Sequence, residues 1–185
     1  MGGLRCVDGS YLTVTPIACT DSAGLPYEVT LALHRDGTPY GVVGERCGWF
    51  LARLARGVGA ARSGRGQARL WPDPDDRFPA NEPDGELFAF RYRNRSDVVG
   101  GGELRCQLRT IPVWVPGQDG RGEWRVTRRA YMEAWGPSGI GMRAVLTSGE
   151  LAAFVECLVE EAEGALKPVE LGRNPIEGAG SPQRR

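Results

Sequence analysis

The sequence has few of the side chains on which acid–base and nucleophilic enzymes depend. It contains a single histidine, His34, so a Ser–His–Asp or Cys–His site would have to use that residue. No G-x-S-x-G segment is present to position a nucleophilic serine. His34 lies at the end of a predicted hairpin strand, where a surface histidine is more common than a general base. The sequence therefore predicts that the protein is not an enzyme, and a hydrolase or transferase ranks third among the functional hypotheses.

Signals for metals, cofactors and membranes are also missing. The five cysteines are far apart and none forms a C-x-x-C pair, and a zinc site with two histidines is excluded by the single histidine. No apolar run approaches the roughly 18 residues of a membrane span, and residues 1–6 lack a secretory hydrophobic segment. We therefore expect no metal, no cofactor and no membrane association, and a cytoplasmic protein with reduced cysteines.

The chain lacks a net charge, but its charges are unevenly distributed. Lys and Arg together number 23, as do Asp and Glu, and every basic residue except Lys167 is arginine. Residues 46–69 hold six arginines and no acid, whereas residues 73–86 hold six acids and one arginine. Arginine is well suited to bidentate recognition of phosphate or carboxylate, although a GC-rich genome also favours it. The arginine bias permits anion binding without establishing it.

Glycine and proline divide the chain into short elements. The 27 Gly and 13 Pro argue against a helical bundle, and a hydrophobic content of 41% is enough for a core. The pattern predicts an α+β fold: an antiparallel β-sheet backed by a long C-terminal helix, with a smaller N-terminal half of β-hairpin plus helix. The predicted divisions are an N-terminal β-hairpin and helix (1–60), a flexible Gly/Arg then Pro/Asp connection (61–86), an antiparallel meander plus helix (87–166) and a disordered tail (167–185). Both halves consist of strands followed by a helix, which hints at a duplicated unit.

The first half shows the alternation of polarity that is typical of strands. Its predicted elements are strands over residues 11–19 and 27–34 and a helix over residues 47–56. Pro16 favours an edge position for the first strand, or its division into two short strands. Asp36 and Gly37 both tolerate positive φ and predict a hairpin turn. Gly57 is predicted to end the helix.

The second half has the clearest periodicity. Alternating apolar residues predict an antiparallel meander of four strands. These strands cover residues 87–93, 103–110, 123–135 and 141–146. The final helix begins with a capping box, Thr147 and Glu150, and carries one apolar stripe until Gly164. Trp124 shares the apolar side of its strand and is expected in the core, whereas Trp114 is a candidate to pack inside, to pin a loop or to contact a partner.

Arginines occupy the opposite side of the predicted second sheet. Side chains alternate along a strand, so these arginines face away from the core if the apolar residues face it. The candidate nucleic-acid-binding residues on this side are Arg91, Arg93, Arg105, Arg109, Arg125, Arg129 and Arg143, together with Tyr131 and Trp135. Residues 91–129 contain nine arginines and four acids. Because like charges directly opposite each other cost up to roughly 1 kcal/mol per pair, negative charge from elsewhere is expected to offset them.

The source of that negative charge separates two functional hypotheses. In the first, the protein is a non-catalytic binding protein, and a polyanion, with single-stranded nucleic acid the leading candidate, meets the arginines and stacks bases on the aromatic rings. Alternatively, carboxylates of residues 73–86 or of the last helix pair with the arginines within the chain. In the second hypothesis, the protein is a protein–protein adaptor or regulatory subunit without nucleic-acid binding, whose sheet edges, exposed tryptophans and acidic helix meet another subunit. The candidate partners are thus a nucleic acid, another protein subunit and a second copy of the chain in a homo-oligomer.

The last strand and helix resemble a known kind of domain. Residues 139–166, GIGMRAVLTSGELAAFVECLVEEAEGAL, are similar to the strand, capping box and helix that end Whirly-like and PC4-like single-stranded-DNA-binding domains. In those families a curved antiparallel sheet backed by a helix grips an unpaired strand. The resemblance covers about a seventh of the chain, and Ser138 stands where those families tend to place a basic residue. It implies a sheet-and-helix domain that binds single-stranded DNA.

Overall fold

The computed structural model describes residues 2–43, 47–62, 85–91, 101–117 and 120–167. The strands are β1 (Gly2–Arg5), β2 (Tyr11–Thr20), β3 (Pro26–Arg35), β4 (Thr38–Val43), β5 (Gly85–Arg91), β6 (Glu103–Pro116), β7 (Gly122–Trp135) and β8 (Gly141–Leu146). The helices are α1 (Cys47–Arg62) and α2 (Ser148–Ala165). The predicted disordered tail, apart from its first residue, and most of the predicted connection lie outside the described residues.

The chain builds the same arrangement twice, four antiparallel strands followed by a helix. Neighbouring strands follow in chain order in both four-stranded sheets, β1-β2-β3-β4 and β5-β6-β7-β8. The α+β class, the antiparallel meander and the long C-terminal helix are confirmed. The hint of a duplicated strand-and-helix unit is confirmed at the level of topology, and the predicted N-terminal hairpin is the β3–β4 part of the first sheet.

Local chemistry accounts for two features of the first sheet. Asp36 and Gly37 both have positive φ, 50° and 79°, as a tight turn between two twisted strands requires. Pro16 lies at an open edge, because β1 pairs with β2 only as far as Val14. The missing N–H of the proline therefore interrupts no hydrogen-bond ladder, and the predicted edge position is correct for this part of β2.

Helix α1 runs past the residue predicted to end it. The prediction that Gly57 ends the helix is wrong, since α1 continues to Arg62. Val58 follows Leu51 by two helical turns, and both side chains are 1% exposed. Burying a valine stabilises by about 1.5 kcal/mol, which exceeds the roughly 1 kcal/mol that a glycine inside a helix costs relative to alanine. Packing of the following residue therefore overrides the local stop signal.

Both halves contribute to a single hydrophobic core. Buried apolar residues of the two sheets and the two helices form one cluster. The predicted capping box starts α2: the Glu150 N–H donates to Thr147 Oγ1 at 3.3 Å, and the Thr147 N–H donates to the Glu150 carboxylate at 2.7 Å. Helix α2 packs mainly against β2 and α1, so the last element of the second half covers the first sheet. None of the helices in the described ranges is long and apolar enough to cross a membrane.

The two sheets also meet through their edges. The N–H of Val7, in the turn after β1, donates to the carbonyl oxygen of Arg143 on β8 at 2.8 Å. Gly136, just after β7, lies so close to Tyr40 of β4 that a Cβ at position 136 would overlap the Tyr40 carbonyl oxygen. Glycine is required at position 136 because the backbones of the two halves approach closely there.

The two central strands of the second sheet extend beyond their neighbours. β6 and β7 have 14 residues each, but β5 pairs with β6 only up to Leu108, and β8 pairs with β7 only from Ala130 onward. Among the described strands, residues 109–116 and 122–129 pair with each other and with no third strand, and we call this two-stranded extension the arm. Pro112 and Pro116 are compatible with a strand there because β6 is an edge within the arm.

The arm explains why one residue predicted in the core is exposed. Trp124 lies on the same side of β7 as the buried Ala130, as strand alternation predicts. The prediction that Trp124 belongs to the core is nevertheless wrong, since 69% of its surface is exposed. The described parts of β5 and β8 end before the arm begins, so Trp124 lies on a two-stranded extension beyond the part of the sheet whose apolar side is buried.

Candidate nucleic-acid interface

Most of the predicted binding residues share the outward side of the second sheet. We call this side of β6, β7 and β8 the Arg face. Its members are Arg105, Arg109, Arg125, Arg129, Tyr131, Glu133, Trp135 and Arg143. They alternate with buried residues such as Leu104 and Met132, so the same strands supply the core and the face. Arg91 lies on β5, outside the side chains that the structure describes, and Arg93 lies outside the described residues.

Glu133 is a member of the Arg face that sequence reasoning missed. It stands directly opposite Arg105 on β6 and Arg143 on β8, and only 1% of its surface is exposed. Arg105 Nε and Nη2 each lie 2.8 Å from Oε2, and Arg143 Nε and Nη2 lie 2.8 and 2.6 Å from Oε1. Its place in β7, midway between Tyr131 and Trp135, already put it on this side of the strand.

The two guanidinium groups keep Glu133 ionised. Burial alone would raise the pKa of the Glu133 carboxyl. Hydrogen bonds from Arg105 and Arg143, together with their positive charges, outweigh burial and lower that pKa below its ordinary value. One carboxylate therefore ties three strands together and offsets part of the charge of two arginines.

The aromatic rings of the Arg face are already covered by guanidinium groups. The guanidinium carbon of Arg105 lies 4.3 Å from the centroid of the Trp135 ring, and that of Arg109 lies 5.1 Å from the centroid of Tyr131. Arg143 also approaches Tyr131, at 6.0 Å. These distances are within the range of cation–π interactions. The rings predicted to stack bases instead support the arginines, so a base would have to displace an arginine to reach them.

Arg109 and Arg129 are the arginines of the Arg face whose positive charge is least offset by carboxylates. They stand directly opposite each other on β6 and β7. Arg109 donates to the side-chain oxygen of Gln107 at 3.0 Å, and Arg129 donates to Thr127 Oγ1 at 2.7 Å, so both hydrogen-bond to neutral oxygens. The positive charge of Arg129 also acts on Glu150. The pKa of Glu150 is lowered mainly by its hydrogen bonds with Thr147 at the helix N-cap, and to the smallest extent by Arg129. Among the described residues, neither arginine forms a salt bridge with a carboxylate.

Arg125 marks the outer end of the face, on the arm. Its Nε donates to Glu123 Oε1 at 2.6 Å, and both side chains are about 60% exposed. An exposed pair of this kind is worth little and is screened by salt. Arg125 can therefore exchange its carboxylate for another anion at small cost.

Two tryptophans lie on the other side of the arm. Trp114 and Trp124 are directly opposite each other, 50% and 69% exposed. Their ring centroids are 5.5 Å apart with an interplanar angle of 67°. The ring of Trp114 also lies over Gly122, where any Cβ would overlap it. Strand alternation gave the side on which Trp124 lies, whereas Trp114 lay beyond the predicted end of its strand at residue 110, and β6 continues to Pro116.

His34 and the buried cysteine Cys106 lie on different sheets. His34 lies on the first sheet, opposite Thr13 and Pro39. Burial raises the pKa of the Cys106 thiol to about 12, so this thiol stays protonated near neutral pH. Within the described ranges, no group of three His, Cys, Asp or Glu side chains is placed to hold a metal ion. The described geometry brings several guanidinium groups to one side of the second sheet, an arrangement suited to binding anions.

The chain was compared with models of protein families, with curated proteins and with solved structures. None of the three comparisons finds a match.

Proposed function

We propose that the protein is a non-catalytic binding protein that holds single-stranded nucleic acid on the Arg face. The observation that carries the proposal is the Arg109–Arg129 pair, two like charges directly opposite each other with no salt bridge to a described carboxylate. A phosphate placed between them would offset their repulsion. The Arg face would then supply the phosphate contacts that give nucleic-acid binding most of its affinity.

The Glu133 cluster supports this function by holding two further arginines in place. A guanidinium group has five N–H donors, and Glu133 engages only the Nε and Nη2 sides of Arg105 and Arg143. The Arg143 side chain is 48% exposed, so its remaining donors reach solvent. Arginines already fixed by a carboxylate and a ring lose little side-chain entropy when they bind a phosphate.

The test is a fluorescence-anisotropy titration of single- and double-stranded oligonucleotides at two salt concentrations. The variant Arg109→Gln/Arg129→Gln should bind the single strand at least about tenfold more weakly. The slope of log affinity against log salt should fall by about 1.4, the value for two lost phosphate contacts on a single strand. The matched control is Arg53→Gln/Arg56→Gln, which removes the same charge from exposed positions on α1. The proposal would be contradicted if both variants lost the same amount of affinity for the single strand, or if the wild type did not bind it.

One observation favours the adaptor function as a second candidate. Trp49 on α1 is 66% exposed, away from the Arg face, with the guanidinium of Arg53 5.6 Å from its centroid. Exposed tryptophans dominate the energetics of many protein interfaces. Indifference to every oligonucleotide in the titration above, with a protein partner whose binding is lost in Trp49→Ala, would favour this function over the first.

A further inference from the structure

The arm presents an apolar platform to solvent. Trp114 and Trp124 lie on one side of it, and Pro112 and Pro116 alternate with Trp114 along β6 on the same side. Along β6 in the arm, Pro112 and Pro116 have no N–H to donate, so they disfavour the addition of a further strand at this edge. The free edge of β7 carries charged residues, which also disfavour edge-to-edge pairing. A partner of the arm is therefore expected to bind its sides rather than its edges.

The charge of the arm selects the kind of partner. Residues 109–129, which comprise the arm and its turn, contain five arginines and two acids, Asp119 and Glu123. A second copy of the chain would bring an arm of the same positive charge against it, which opposes an arm-to-arm dimer. The charge complementarity points to an anionic partner, and the exposed indoles point to a partner with apolar, planar groups.

We infer that the Trp114–Trp124 pair is a stacking site for unpaired bases of the nucleic acid that the Arg face holds. This inference rests on the proposed function. A single strand offers both a charged backbone and accessible base planes, whereas a duplex encloses its bases and a sulfated polysaccharide has none. The arm carries Arg109, Arg125 and Arg129 on one side and the two indoles on the other, so a strand that follows the phosphate contacts would pass around the arm to reach the indoles.

The geometry of the two indoles fits stacking without rearrangement. One face of Trp114 rests on Gly122, where no side chain intervenes, and this contact holds the ring in place. Trp124 meets it edge to face and is the more exposed of the two. Unlike Tyr131 and Trp135, neither indole has a guanidinium over its ring among the described cation–π contacts. A base would therefore displace no arginine when it stacks here.

The decisive experiment compares Trp124→Leu with Trp124→Phe in the intact chain. Leucine is apolar but has no ring plane, whereas phenylalanine keeps one. Affinity for a labelled single strand of about 12 nucleotides should fall roughly tenfold in Trp124→Leu and much less in Trp124→Phe. The matched control is Trp49→Leu, an exposed tryptophan outside the arm, which should leave the affinity unchanged. Oligo-dT and oligo-U are titrated in parallel, because the same chemistry could come from DNA or RNA.

Heparin and a duplex of the same sequence are the ligands that distinguish stacking from charge. Both should bind Trp124→Leu as well as they bind the wild type. Equal affinity of the leucine and phenylalanine variants for the single strand would overturn the inference, as would a parallel loss of heparin binding. A wild-type dimer that becomes monomeric in Trp124→Leu, seen by sedimentation, would instead make the arm an interface between copies.

The same measurements separate this inference from the proposed function. If Arg109→Gln/Arg129→Gln weakens binding of the single strand but Trp124→Leu does not, the Arg face binds nucleic acid and the stacking site is wrong. If the wild type binds no oligonucleotide at all, the proposed function fails and the stacking site fails with it.

Discussion

The two sheets share a strand order but differ in the chemistry of their outward sides. The outward side of β2 and β3 includes Thr13, Thr15, Ile17, Thr30, Ala32 and His34. The equivalent side of the second sheet carries arginines that are stacked on aromatic rings and joined by Glu133. Because the first sheet forms without such a cluster, the architecture itself does not require one. The difference therefore directs attention to the second sheet as the functional one.

The largest expected effect comes from neutralising the buried carboxylate of Glu133 in the second sheet. Glu133→Gln should lower the free energy of unfolding by roughly 3 kcal/mol, because Arg105 and Arg143 lose the charge that they share in a buried site. Urea denaturation near neutral pH measures this loss. The control is Glu28→Gln, the same change on the first sheet. Among the described residues the Glu28 carboxylate accepts from the neighbouring Val29 N–H, at 3.0 Å, and from no arginine, so a much smaller loss is expected. Equal losses would mean that the cluster does not distinguish the two sheets.

The next effect tests how closely the two sheets are joined. Gly136→Ala should lower the free energy of unfolding by about 2 kcal/mol, because the new Cβ would overlap the backbone carbonyl of Tyr40. A backbone carbonyl cannot move aside as a side chain can. Thermal or urea unfolding measures it. Gly149→Ala, at an exposed helical position with open space around it, is the control and should stabilise by up to about 1 kcal/mol. A Gly136→Ala protein as stable as the wild type would show that the sheets do not approach so closely.

A smaller effect appears in the pH dependence of stability. The pKa of Glu133 is lowered in the folded state, so its contribution is fully present above the ordinary glutamate value of 4.5. That contribution is lost as pH falls through the lowered value, because the unfolded chain then binds the proton more readily. The stability difference between wild type and Glu133→Gln should therefore narrow between pH 7 and pH 3. A difference that stays constant over this range would contradict the assigned pKa direction.

The smallest expected effect comes from replacing an outward arginine of the second sheet with threonine, a residue that lies on the outward side of the first sheet. Arg109→Thr removes one of two opposed like charges at the cost of its stacking on Tyr131. We expect the free energy of unfolding of the wild type to rise by up to about 0.5 kcal/mol more than that of the variant when salt increases from low to about 0.5 M. The reason is that salt screens the Arg109–Arg129 repulsion. Urea midpoints at both salt concentrations measure the gain. The same salt response in the two proteins would show that the pair is already neutralised.

Local chemistry made much of the fold predictable. Alternation assigned the core and outward sides of the second sheet, Asp36 and Gly37 assigned a hairpin turn, and the capping box assigned the start of α2. The same local reasoning failed at Gly57, where the burial of Val58 in the tertiary structure prolongs the helix. It also gave no signal for β1, whose sequence GGLR has no alternation.

The candidate site was predictable in its side of the sheet but not in its internal pairing. A period of two gives the side on which Arg105, Glu133 and Arg143 lie, but their pairing depends on the register between strands distant in sequence. The exposure of Trp124 likewise depends on where the neighbouring strands end, and no residue near Trp124 encodes that. Pattern reasoning therefore predicted the side of the arginines and left the role of Trp114 open, but it missed the carboxylate that joins the arginines and placed Trp124 in the core.

The position of α2 has a consequence for how the chain can be divided. The helix belongs to the second half but packs mainly on β2 and α1, so neither half keeps its apolar surface covered without the other. Fragments 1–62 and 85–185, produced separately, would each expose part of the shared core and would recover a closed core only by associating. The two halves repeat one topology but depend on each other for a closed core, so the protein is suited to fragment complementation rather than to use as two independent modules.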